Sequence, residues 1–306
     1  MSPDTERREL VRPDATIAFW QSGPPHAPTV LLLHGATADH DAWQPQMADL
    51  TSRYRVVAPD LRGHGQSTLA TTFRFQDVVA DVHALLDEVD TGTPLALVGL
   101  SLGGNIAQEI VYRAPDRVDA LVVADSTCNT APRHPLAASL TIATLSTMAL
   151  TSRDRFMQRA AAVTSVRDDV RRYLLGVNAD RTPREVVQIL TSLLDDALHP
   201  DPDYRLPVPT LLLHGTHDRV GDIVAGSRAW AARDPGIEHV EIPDAGHASN
   251  QDNPEAFTAA LTAFLDPLLV VPQEEPAHEG PDEPAEPPGL ARRIGRRVRS
   301  ALGRAS

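Results

Sequence analysis

Short apolar runs alternate with helical patterns along most of the chain. Residues 29–33, 55–58, 95–98, 120–124, 210–213 and 239–242 are brief stretches rich in valine and leucine. Such runs lack polar alternation, as expected of central parallel strands covered on both faces. Between them, residues 42–52, 75–89, 102–113, 223–233 and 254–265 carry apolar positions at helical spacing. The last of these opens with Asn253 as N-cap and Pro254 at the first helical position. Ahead of the first run, residues 10–11 and 16–20 flank a Pro-Asp turn and predict an antiparallel hairpin. Strand–helix alternation on this scale predicts an open, mostly parallel α/β sheet flanked by helices.

One stretch breaks the alternation. Residues 127–204 contain no convincing strand but show helical patterns at 136–150, 153–163, 166–175 and 183–198. A helical cap inserted between two strands is expected here. It would lie over the C-terminal strand edge, where open α/β sheets bind ligands. The core is then 8–126 together with 205–270. Composition changes again at residue 271. Residues 271–289 are rich in proline and glutamate and read as a disordered linker. Residues 290–306 carry six arginines, with Leu290, Ile294, Val298 and Leu302 recurring every four positions. As a helix this tail would set an apolar seam in a basic surface, suited to an anionic membrane or an acidic partner.

Composition removes several chemistries. The 306 residues include no lysine, so all 28 basic side chains are arginine. A Walker-A phosphate loop, Schiff-base chemistry and a Ser-x-x-Lys acyl enzyme each lack the required amine. With Cys128 the one cysteine, no intrachain disulfide or multi-cysteine zinc cluster can form. The formal charge of −13 argues against nucleic acid as a partner. The linker's acidic residues cancel the tail's arginines, so this charge belongs to the body. The charged first ten residues lack the apolar core of a secretory signal, and no run of 18 apolar residues occurs. A cytoplasmic protein is expected.

The strongest chemical motif is Gly99-Leu100-Ser101-Leu102-Gly103, followed by Gly104. It lies between a strand and a helix. A nucleophile on such a turn needs small neighbours, because backbone approaches backbone. The helix N-terminus also offers free N–H groups beside the serine oxygen. Serine needs a base and an orienting acid. Downstream, Asp218 follows the run at 210–213, and His247 sits in the loop Pro243-Asp244-Ala245-Gly246-His247, where Gly246 permits an unusual backbone angle. The order Ser101, Asp218, His247 is a triad order. His34-Gly35-Ala36 follows the run at 29–33, and a loop there can aim the Ala36 N–H at the same point as the Leu102 N–H. His34 itself is expected to shape that loop.

At these residues the chain resembles the α/β-hydrolase superfamily, and within it the capped esterase, enol-lactonase and C–C hydrolase group. The resemblance spans about residues 8–269. It rests on LLLHGATADHDAW (31–43), APDLRGHGQS (58–67), LVGLSLGG (97–104), LLLHGTHD (211–218) and IPDAGHASNQDNP (242–254). It implies Ser101 as nucleophile, His247 as general base, Asp218 as its acid, and an oxyanion hole from the main chain of Ala36 and Leu102. It also implies a cofactor-free enzyme with a helical cap. Dehalogenases and epoxide hydrolases of the superfamily place aspartate at the elbow, and Ser101 departs from them.

Hydrolysis of a small ester or lactone is the expected reaction. Hydrolysis of C–C bonds or peracid formation would use the same triad; oxygen chemistry would use a His–Asp dyad; a non-catalytic ligand-binding module would need neither. Other residues carry lesser expectations. The loop Asp60, Arg62, Gly63, His64, Gly65 reads as a structural turn, and Asp125 as a hydrogen-bonding neighbour or substitute acid. Asp39, His40 and Asp41 are candidates for the pocket wall, as are Leu145 and Met148 on the first cap helix. Cys128 reads as packing. No H-x-x-x-H or H-E-x-x-H spacing occurs, so no metal site is expected.

Overall fold

The Pro13-Asp14 turn joins β1 (Glu6–Arg12) to β2 (Ala15–Ser22) as an antiparallel hairpin. Six further strands follow: β3 (Thr29–Leu33), β4 (Arg55–Pro59), β5 (Leu95–Leu100), β6 (Ala120–Ala124), β7 (Thr210–Gly215) and β8 (Glu238–Ile242). Together they make one sheet in the order β1-β2-β4-β3-β5-β6-β7-β8, in which only β2 runs against the others. This computed structural model describes residues 5–90, 92–132 and 137–269, all within the unit Met1–Val271. The expected linker (271–289) and tail (290–306) lie outside the described residues.

Period-two alternation divides each central strand between two apolar layers. Leu31, Leu33, Leu97, Leu121, Val123 and Leu212 meet α2 (Phe75–Val89), α3 (Leu102–Arg113) and α8 (Ile223–Arg233). Val30, Leu32, Val98, Val122 and Leu213 face α1 (Gln44–Leu50) and α10 (Pro254–Leu269). Both faces are covered, which explains the continuous apolar runs. Each fully buried aliphatic side chain contributes about 1.5–3 kcal/mol, so the central strands form a stiff platform. The last strand differs: Glu238 and Val240 are exposed while His239 and Glu241 are half-buried. β8 closes the sheet edge, and the expectation of an uninterrupted apolar run fails there because, among the described residues, no strand lies beyond it.

Two helices depart from their sequence boundaries. The expected helix at 42–52 is a 3-10 turn, His40–Trp43, followed by α1. Asp39 caps the turn by accepting from the Asp41 N–H, and Pro45, with no N–H to donate, sits in the first turn of α1. α10 continues past 265 to Leu269 through Pro267. Its start is as expected, with the Asn253 side chain accepting the Ala256 N–H at 3.2 Å.

Between β6 and β7 the described residues form four helices: α4 (Ala137–Met148), α5 (Arg153–Thr164), α6 (Asp168–Val177) and α7 (Pro183–Asp196). A complete capping box at Thr182 and Glu185 starts α7. This region bonds several loops at the C-terminal strand edge, among them that after β4, where Arg181 donates to Gly63 O at 2.8 Å. Asn178 Nδ2 donates to Thr37 O at 2.8 Å and Tyr173 Oη to Asp39 at 2.6 Å, both in the loop after β3. On the other side, the Ala248 N–H donates to Thr164 O at 2.9 Å, in the loop after β8.

Candidate active site

Ser101 sits at the junction of β5 and α3 with φ 54° and ψ −118°. A non-glycine residue rarely adopts this conformation, and the surrounding packing enforces it. A Cβ on Gly99 would fall 2.2 Å from Gly103 O, and one on Gly103 would fall 2.1 Å from Leu33 O. No side chain fits at either place. The glycines therefore let α3 start against β3 and β5, with the serine hydroxyl projecting from the turn. Ser126 supports the turn from β6 by donating to Ser101 O at 2.9 Å.

Three loops at the C-terminal strand edge bring the distant residues together. The Ser101 hydroxyl lies 2.9 Å from His247 Nε2, and His247 Nδ1 lies 2.8 Å from Asp218 Oδ2. With Nδ1–H donating to the carboxylate, Nε2 is free to accept the hydroxyl proton. The acid and base loops are mutually fixed: the His217 N–H donates to Ala245 O at 2.8 Å, and the Thr216 N–H to Ile242 O at 2.9 Å. Gly246 does not supply the unusual backbone angle expected of it. Asp244 does, at φ 54°. Gly246 instead donates its N–H to Asp252 Oδ2 at 2.8 Å and lies so near Asp252 and Thr164 that a side chain would crowd them.

His247 is almost fully buried, which by itself would disfavour the imidazolium. The hydrogen bond and charge of Asp218, with the charge of Asp125, outweigh burial and raise its pKa above the ordinary 6.5. Asp125 ends β6 at φ 45° and is fully buried. It does not pair with His247. Its oxygens accept the Gly215 N–H at 2.9 Å and the Ser249 N–H at 3.2 Å, plus the Ser249 hydroxyl. Burial pushes its carboxyl up to about 7, with the negative charge of Asp218 adding to the rise.

The loop after β3 carries Gly35 against the serine, since a Cβ there would lie 3.3 Å from Ser101 Cβ. Ala36 follows it. Among the described residues, neither the Ala36 N–H nor the Leu102 N–H meets an acceptor. His34 braces the loop: Nδ1–H donates to Gly35 O at 2.8 Å and Nε2 accepts the Leu61 N–H at 2.9 Å. Burial holds it neutral.

The remaining candidates have other partners. His40 is buried, stacks on Trp20 and bonds Asp60 at 2.8 Å, so it is not a pocket wall. Arg62 is paired with Asp81 through two bonds of 2.7 and 2.8 Å, and His64 Nδ1 bonds Arg62 O. This loop is structural. Asp41 is half-exposed, while Asp39 is taken up by Tyr173 and the 3-10 cap. Cys128 is half-buried against the core. Met148 packs beside Phe156, Met157 and Val186; the Leu145 side chain lies outside the description. Sequence reasoning missed Tyr173, Asn178, Ser126 and Ser249, which hold the loops in place. No local motif marks them, because each acts on a residue distant in the chain.

A family model described as alpha/beta hydrolase fold matches residues 28–254. A 3-oxoadipate enol-lactonase of Acinetobacter baylyi is 28% identical over 263 residues, covering 83% of this chain and 94% of its own. A pimeloyl-[acyl-carrier protein] methyl ester esterase of Pectobacterium carotovorum is 31% identical over 259 residues, covering 80% and 97%. Among solved structures, a thermophilic esterase from Thermogutta terrifontis superposes with a TM-score of 0.70 at 24% identity, covering 86% of this chain and 99% of that one. That last likeness concerns the fold.

Proposed function

Because the chain belongs to the α/β-hydrolase fold family, we propose that it is a serine hydrolase cleaving a small carboxylic ester or lactone through an acyl-enzyme. The observation that carries this reading is the hydrogen-bonded series from Ser101 Oγ to His247 Nε2 and from His247 Nδ1 to Asp218, at 2.9 and 2.8 Å. Ser101 attacks the carbonyl carbon while His247 takes its proton. Asp218 holds the imidazole in the required tautomer and stabilises the imidazolium. The oxyanion rests on the Ala36 and Leu102 N–H groups, each such donor contributing about 2.7–4 kcal/mol. His247 then returns the proton to the departing alkoxide, and a water deprotonated by the same imidazole releases the acid. Relatives named as an enol-lactonase and a methyl ester esterase support the substrate class.

The test compares wild type, Ser101→Ala and His247→Ala on p-nitrophenyl esters of graded length and on lactones. Ser101→Ala should fold normally, lose at least about a thousandfold in kcat and escape labelling by a fluorophosphonate probe that marks wild type at Ser101 alone. Retention of most activity in Ser101→Ala, with loss in His247→Ala, would replace the acyl-enzyme with dyad chemistry.

A further inference from the structure

We propose that His214, His239 and Glu241 form a binding site for one divalent borderline transition metal ion, with Zn2+ the best-matched occupant. The site lies at the outer edge of the sheet and is separate from the serine. β7 and β8 pair in parallel with Leu212 opposite His239 and His214 opposite Glu241. Period two therefore puts all three side chains on one face. One ligand atom from each lies within 4.8 Å of the other two.

The donor set suits this class of ion: two imidazole nitrogens and one carboxylate oxygen, leaving a fourth position for water. His239 Nε2 and His214 Nδ1 are 3.0 Å apart. Tetrahedral bonds of about 2.0–2.1 Å separate two ligand nitrogens by about 3.3 Å, so the rings need open by only a few tenths of an ångström. Glu241 must swing inward, its oxygen starting within 4.8 Å of both imidazole ligand atoms. It is half-exposed and held by Arg228 of α8, whose side chain is 57% exposed and can turn out to solvent. His214 is fully buried, so packing holds its ring in place and one ligand is already positioned. The H-x-x-x-H spacing rule does not reach this trio, because two neighbouring strands supply it.

The experiment uses the full chain without a polyhistidine tag, stripped with chelator. Titration with ZnCl2 by calorimetry should give one ion per chain at micromolar or tighter Kd, and CoCl2 should produce the visible d–d absorption of a tetrahedral ion. His239→Ala and Glu241→Gln should each weaken Zn2+ binding at least tenfold. Both should abolish the Zn2+-dependent rise in Tm while leaving metal-free ester turnover unchanged. Absence of binding by the parent, or either variant binding as the parent does, overturns the site. The readout is metal binding, so it stands or falls independently of the hydrolase reading.

Discussion

Asp125 offers a quantitative test of how this fold treats a buried charge. Its carboxyl is fully buried and is pushed up to about 7, against 3.8 for an ordinary aspartate. A native pKa above the unfolded one means that the folded protein holds the proton more tightly. This group's contribution to stability is therefore greatest in acid and fades as the pH climbs from 3.8 towards about 7. Each pH unit in that window costs about 1.4 kcal/mol. Between pH 5 and pH 8 the wild type should lose about 3 kcal/mol through this residue, since the loss stops near its native pKa. Asp125→Asn keeps the shape and removes the ionisation. The oxygen of the substituted amide can still accept the Gly215 N–H, but its NH2 group meets the Ser249 N–H donor to donor, a cost of about 1–3 kcal/mol at either pH. Comparing the two pH values removes that fixed cost. Urea unfolding of both proteins at pH 5 and pH 8 should show the variant gaining about 3 kcal/mol relative to wild type at the higher pH. Equal differences at both pH values, within about 0.5 kcal/mol, would refute the reasoning. The three hydrogen-bond donors around Asp125 would then outweigh burial and keep it ionised throughout.

Further outcomes follow from the same geometry. The raised pKa of His247 places the acidic limb of kcat/KM above the ordinary histidine value of 6.5, with activity lost as the pH falls through it. Asp125→Asn should move that limb to lower pH in a pH–rate profile. Gly103→Ala should destabilise the protein by at least about 1–3 kcal/mol in thermal melts, because the added carbon meets Leu33 O, which is backbone and cannot turn aside. Arg62→Met should cost about 1–3 kcal/mol in urea unfolding, because the buried Asp81 carboxylate loses two hydrogen bonds and keeps the one from Arg12 at 3.0 Å; partial restoration by Asp81→Leu in the double variant would show that this carboxylate is the cause.

The loop histidines show where sequence reasoning stops. His34, His40, His64 and His247 all follow strands near glycine or aspartate, and nothing local separates them. Chain order and the glycine-bracketed serine pick out His247. Only the packing shows that His40 lies flat on Trp20 and that His34 bonds Leu61. Among the described residues no helix is long and apolar enough to cross a membrane, in keeping with the absence of a long apolar run.

By itself the sequence determined the alternation of strands and helices, the cap helices between β6 and β7, and the serine turn. Each of these is encoded locally, by side-chain periodicity, capping residues and glycines that backbone contact requires. Tertiary structure decided the rest. It set what the other loop histidines do, which residues of α6 grip the loop after β3, how far burial shifts Asp125, and that two adjacent strands gather His214, His239 and Glu241. Those outcomes depend on distances and dielectric surroundings created when segments far apart in the chain pack together, and neither is written in any single stretch of it.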